Sequence, residues 1–393
     1  MTSPKHIAWL IFLMNIIVIS SIDIYIPAAP YLGHVFDVTD SAMKLTFLAS
    51  PFFSSFGGIP FGRFSDRFGR RRFLFAGMGL YITGSALCMT AHNIEMFFMG
   101  RCIQSLGTGG LSVLSGAILA DIFTGATLAR YMGIFASIYP IVFALAPILG
   151  AEVLERFGWR YIFALITFGM VLVSFLFYFL VPETNSVADL KKTDKSGVAG
   201  MRTLLTSLPI FLLVSIHSLP ISFNGIFTVN SPFIYIDTFM MTPREYSYLQ
   251  AMPVATQFIG AYIYKSIVER IGLLASLKFG MVTSLIFVVV ASFMAFDFIP
   301  DNPYLIIAVV STFSFGSTFM ISSASTMILD SNPGNKGLTM SYISLMRNLF
   351  MSVIVGLTSS LSYRDVNPIL MYLIVTALIQ ALLIRQQVKK TYV

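Results

Sequence analysis

Charge is scarce in this chain. Of its 393 residues only 11% are Asp, Glu, Lys or Arg, against roughly 25% in soluble domains, which excludes a water-soluble globular protein. Cysteine is nearly missing as well. Cys88 and Cys102 both sit in apolar runs, which excludes a disulfide scaffold or a Cys-based zinc site and marks them as buried packing residues. There is no P-loop, no metal-spaced His/Glu cluster and no nucleophile elbow, so the chain is not read as an enzyme and no metal or prosthetic group is implied. Long polar stretches are lacking too. The longest, 185–202, is too short for a sensing domain, which argues against a receptor or scaffold. The net charge of +7 comes from short basic clusters between apolar runs, which points to a lipid bilayer rather than to nucleic acid as the partner.

What is present is hydrophobic, 56% of the residues. The run from Ile7 continues past about twenty residues and is followed by many more, so it is read as a retained span rather than a secretory signal. Taking about 20 apolar residues per crossing, spans are predicted near 7–30, 45–62, 73–91, 96–120, 131–151 and 161–181. A second set falls near 204–231, 246–264, 274–296, 304–329, 337–360 and 366–385. Each should be a helix, which satisfies its own backbone where water is missing. An even total of twelve places both termini on one side. Eighteen Lys and Arg fall in the loops of that side and five on the other, Lys44 among the five, so both termini are expected in the cytoplasm.

The polar stretch 185–202 is read as a cytoplasmic linker between an N-terminal six-helix bundle, 1–184, and a C-terminal one, 203–393. A repeat supports that division. "GRFSDRFG" begins at Gly62 after the second predicted span and "KSIVERIG" at Lys265 after the eighth, in register at an offset of 203 residues.

Two features in the first half carry chemistry. In "GRFSDRFGRRR", 62–72, Gly62 and Gly69 allow a tight connection, Asp66 can meet a helix N-terminus or a basic partner, and Arg67, Arg70 and Arg71 hold the loop at an anionic surface. Positive-inside charge alone is the competing reading. In "RCIQSLGTGG", 101–110, Arg101 enters a span and must face the bundle interior unless it snorkels to the interface.

A lone carboxylate, Asp23, stands in an otherwise apolar first segment with no Lys or Arg between Lys5 and Lys44. Counted from the outer side, Asp23 lies about 7 residues and Arg101 about 6 residues deep, roughly 10 and 9 Å at 1.5 Å per residue. The two can therefore meet, as a structural ion pair or as a proton site. Burial and a nearby cation act oppositely on proton affinity, so a change in their separation would load or release a proton. Asn15 shares the helix face of Asp23 and is a candidate cavity residue. Pro140 and Pro147 must bend the fifth span.

In the second half His217 falls inside the seventh span, either titrating or as a hydrogen-bonded structural residue. Asn224 and Gln257 are candidate cavity polars. Arg347 lies near the midplane of the eleventh span, either bonding helix carbonyls and water or attracting an anionic group on a substrate. Tyr25, Tyr139, Phe143 and Phe227 are candidate cavity walls.

These stretches resemble known motifs. Gly62, Asp66, Arg67, Gly69, Arg70 and Arg71 match the signature loop of the major facilitator superfamily, Gly-x-x-x-Asp-Arg-x-Gly-Arg-Arg, a conformational latch in that family. Arg101, Gln104 and the glycines from Gly107 to Gly110 resemble its fourth-helix motif. Gly133, Pro147 and Gly150 match part of its antiporter motif, while Val142, Ala146 and Ala151 stand where glycines are expected. "SIDIYIPAAPYL", "GWRYIF" and "VPET" are similar to the bicyclomycin- and chloramphenicol-resistance branch of drug/proton antiporters, in which the acid at the position of Asp23 is the proton carrier.

The resemblance implies an all-α transporter of two six-helix bundles rocking around a central cavity. It would act as a monomer in the bacterial inner membrane and export small, partly hydrophobic compounds in exchange for protons, the coupling ion. Arg101 would tune Asp23 and Gln104 would support it. The alternative is a dedicated metabolite or siderophore carrier of an anionic substrate.

Overall fold

The computed structural model describes residues 3–183, 204, 207–296, 298–331, 336–359 and 367–391. The predicted linker at 185–202 lies outside the described residues. Two compact units account for the rest, one within Met1–Thr193 and one within Asp194–Val393. No strand occurs among the described residues.

The first unit begins with α1, Pro4–Asp23, opened by Pro4 and by Ser3, whose Oγ accepts from the Lys5 amide at 3.3 Å. The helix predicted over 7–30 is broken inside that range. Pro27 has no N–H for the carbonyl of Asp23 four residues earlier, so the chain tightens into a 3-10 turn, Ile26–Ala28, and continues as α2, Ala29–Phe36. Next come α3 (Asp40–Phe68), α4 (Arg70–Met89), α5 (Ile94–Ile122), α6 (Gly125–Phe157) and α7 (Trp159–Leu180).

The second unit runs α8 (Leu208–Pro232), a π-helical stretch (Phe233–Thr238), α9 (Pro243–Ile271), α10 (Leu273–Ala295), α11 (Pro303–Asp330), α12 (Lys336–Ser359) and α13 (Asn367–Thr391). Thr242 and Glu245 close a capping box at the start of α9. The repeat seen in the sequence has a backbone counterpart. Gly69, with φ +101°, alone joins α3 to α4, and Gly272, 203 residues on with φ +81°, alone joins α9 to α10.

Among the described residues eight helical segments are long and apolar enough to cross a membrane, the first of them the broken Pro4–Phe36. The helices expected at 45–62 and 246–264 form, as α3 and α9, but fall outside that set because Ser, Gly, Gln and Tyr dilute their apolar residues. Apolar stretches in α12 and α13 are shorter, Tyr342–Gly356 and Leu370–Gln386. Lys44, assigned above to an outer loop, is 1% exposed on α3.

Close packing in the first unit follows small residues, which let backbones approach where side chains would hold them apart. A side-chain carbon at Gly84 of α4 would lie 2.5 Å from the Gly100 carbonyl of α5, and one at Gly107 would lie 2.7 Å from the Gly77 carbonyl. Gly109 presses the same helix against Ser54 of α3. In the second unit Gly280 of α10 and Gly316 of α11 face each other in the same way. These contacts fix the depth of the residues described next.

Candidate functional site

The break after Asp23 creates the polar centre of the first unit. The last carbonyls of a helix have no intrahelical donor, and Ser21 is one of them in α1. Arg101, 1% exposed on α5, donates from Nη1 to the Ser21 carbonyl at 2.9 Å and also to Gln104 Oε1. Its Nη2 donates to Ser50 Oγ of α3 at 2.7 Å, and its guanidinium lies 4.5 Å from the centre of the Tyr25 ring. Gln104 is held in turn by donation from Nε2 to Ser85 Oγ of α4 at 2.6 Å. One cation therefore ties α1, α3 and α5 together and reaches α4 through an amide.

Asp23 itself is 6% exposed, two residues past the carbonyl that Arg101 binds. Among the described residues no nitrogen of Arg101 lies within 4.0 Å of its carboxylate. The depth argument thus brought the two to one neighbourhood, but the guanidinium bonds neutral groups, and the carboxylate feels its charge through space. On the other flank, a side-chain carbon at Gly150 of α6 would collide with the carbonyl of Ile24, so α6 lies directly against the peptide that follows Asp23. Pro147 is buried one turn earlier. A side chain at Gly133 would meet nothing within 4 Å.

The remaining candidates of this unit divide between two places. Tyr25 stacks on Phe47 at 4.7 Å and meets Phe97 and Phe163, an aromatic lid over Arg101. Asn15 and Tyr139 gather farther along α5: Asn15 Nδ2 donates to Ser115 Oγ at 2.7 Å, while the Tyr139 hydroxyl is 3.3 Å from Ser112 Oγ and its ring 6.4 Å from Phe143. At 1.5 Å per residue this second layer is about 16–21 Å from Arg101 along the helix.

The 62–72 stretch, expected as a loop, is the end of α3, Gly69 and the start of α4, and it is built around Arg70. Its guanidinium meets Asp66 at 2.5 Å, Asp121 at the end of α5 at 3.1 Å, and Ser65 Oγ at 2.7 Å. The carboxylate of Glu183 accepts from the backbone N–H groups of Arg70 and Arg71 at 2.7 and 3.1 Å, capping α4 where Gly69 leaves no side chain in the way. Arg71 also donates to the Tyr178 carbonyl at 2.8 Å. Arg67 lies over the ring of Phe68, and Gly62 faces Val113 of α5. Asp121 and Glu183 were missed from the sequence, although each is an isolated acid ending an apolar run on the side of the arginines.

In the second unit His217 is 5% exposed and its Nδ1 has no hydrogen-bond partner. Arg347 donates from Nε to Asn348 Oδ1 at 3.3 Å. Asn224 Oδ1 accepts from Ser314 at 3.2 Å, and Gln257 is half-buried on α9. Phe227 is 3% exposed and its ring meets that of Tyr235 edge-on at 6.4 Å.

Residues 11–383 match the Major Facilitator Superfamily. The chain belongs to that superfamily. That superfamily is one of membrane transporters, and the eight described helical segments long and apolar enough to cross a membrane fit it. An uncharacterized transporter of Rickettsia felis is 27% identical over 270 residues, 66% of this chain and 64% of the relative, so the match spans just under two thirds of that protein. The bicyclomycin resistance protein homolog of Haemophilus influenzae is 22% identical across 89% of this chain and 87% of its own. The chloramphenicol resistance protein of Pseudomonas aeruginosa is 33% identical over 42% and 39%. Among solved structures, a bacterial homolog of the human lysosomal transporter Spinster superposes with a TM-score of 0.77 over 99% of this chain and 98% of its own, at 15% identity, which establishes the facilitator fold.

Proposed function

We propose that this protein is a proton-coupled antiporter that exports small, partly hydrophobic compounds across the bacterial inner membrane by alternating access. In this reading it acts as a monomer of twelve spans with both termini in the cytoplasm. Relatives named for drug resistance support the substrate class. The observation that carries the coupling is the buried carboxylate of Asp23, held at a helix break beside a cation that does not bond it.

A carboxylate engaged in a short ion pair would be locked in its charged form. One that only feels the guanidinium through space changes its proton occupancy when the separation changes. Gly150 places α6 against the same break, so a shift of α6 moves the peptide after Asp23. Substrate-driven motion and proton release are then one event. The network of Arg70 with Asp66, Asp121 and Glu183 stabilises one of the alternating states.

The test is reconstitution in liposomes with an internal pH dye, comparing wild type with Asp23→Asn while lipophilic cations, neutral antibiotics and carboxylates are added. Substrate-triggered proton movement in the wild type alone supports the reading. Undiminished gradient-driven transport by Asp23→Asn would sink it.

A further inference from the structure

The second unit holds a cation and a buried imidazole with one unpartnered nitrogen on neighbouring helices. Buried polar groups nearly always have a hydrogen-bond partner, yet Nδ1 of His217 has none. Leu213 and Val214 of α8 pack with Tyr342, Ile343 and Met346 of α12, and a side chain at Gly225 would press on Met351, so the two helices run side by side in the same direction. That register sets His217 level with Arg347, the charged group whose field reaches it. Arg347 lies 11 residues past Lys336, about 16 Å along α12. At that depth it is not an anchor at the membrane surface, and an ionisable residue there points to a ligand or ion path.

We propose that Arg347 and His217 form a carboxylate-binding subsite, so that the transported compound is an organic anion with an apolar body. The planar guanidinium fork matches the two oxygens of a carboxylate, and an imidazole N–H supplies a further donor. The subsite rests on the transport reading above but not on its proton coupling.

Equilibrium binding to purified full-length protein tests it, with benzoate, 1-naphthoate and indole-3-acetate each compared with its neutral amide. The expected result is at least tenfold tighter binding of a carboxylate than of its amide in the wild type. Arg347→Gln and His217→Leu should each remove that preference, and Arg347→Lys, which keeps charge without the fork, should retain only part of it. If Arg347→Gln fails to fold, Arg347→Lys and His217→Leu decide. Equal binding of acids and amides by the wild type, or an intact preference in the folded variants, overturns the subsite. Asp23→Asn should keep the preference. A carboxylate preference without substrate-driven proton movement would remove the coupling and leave the subsite. Proton movement driven only by neutral compounds would do the reverse.

Discussion

Arg101 binds the backbone carbonyl of Ser21, at 2.9 Å, rather than the carboxylate of Asp23 two residues later. The cation is thereby fixed to the helix that carries the acid without neutralising it by contact. Its other bonds, to Ser50 and Gln104, come from α3 and from its own helix.

Lysine should fail at this position. An ammonium cannot span Ser21, Ser50 and Gln104 from one planar group, so Arg101→Lys is expected to lower the melting temperature and abolish proton-coupled transport. Ser50→Ala should cost about 1–3 kcal/mol by leaving a buried guanidinium N–H unsatisfied. Thermal unfolding of the purified variants measures both stability losses, and the liposome pH-dye assay measures transport by Arg101→Lys. An unchanged melting temperature in Ser50→Ala would show that the hydroxyl is dispensable.

Two glycines of α6 should respond oppositely to alanine. At Gly150 the added carbon meets the Ile24 carbonyl, so Gly150→Ala should be destabilising by about 1–3 kcal/mol and should impair transport. At Gly133 it meets nothing within 4 Å, and alanine should be neutral or stabilise the helix by about 0.5–1 kcal/mol. Stability and transport assays on the pair check the contrast, and equal loss in both variants would contradict it.

Around Arg70 the acids should rank by exposure and partner. Glu183→Ala removes the cap from two α4 amides and should cost about 0.5–2 kcal/mol. The Asp66 side chain is 64% exposed, and Asp66→Ala should cost under about 1 kcal/mol. A stability series over Asp66→Ala, Asp121→Ala and Glu183→Ala tests the order, and a larger loss at Asp66 would reverse the assignment.

The helices were legible because apolar runs and their charged borders are local features. The neighbourhood of Asp23 and Arg101 was legible too, since depth in a membrane can be counted from the ends of two spans. What could not be counted was the break. Its effect depends on Pro27 withholding an N–H from Asp23, which frees the carbonyls of the last turn and gives Arg101 a backbone partner. Glu183 escaped notice for another reason: its amide partners are more than 110 residues away in sequence. The ring contacts of Tyr25 with Phe47, Phe97 and Phe163 were not legible either, because an aromatic composition of 14% does not say which rings meet.

Gly69 and Gly272 deserve a mechanical reading. A connection one residue long is a pin rather than a strap. The helices on either side of it cannot slide along their axes independently, so a displacement at one end of α3 or α9 arrives at its neighbour as a change of angle. Each such pair behaves as a jackknife with a fixed pivot, and the two pivots recur 203 residues apart in otherwise dissimilar sequence.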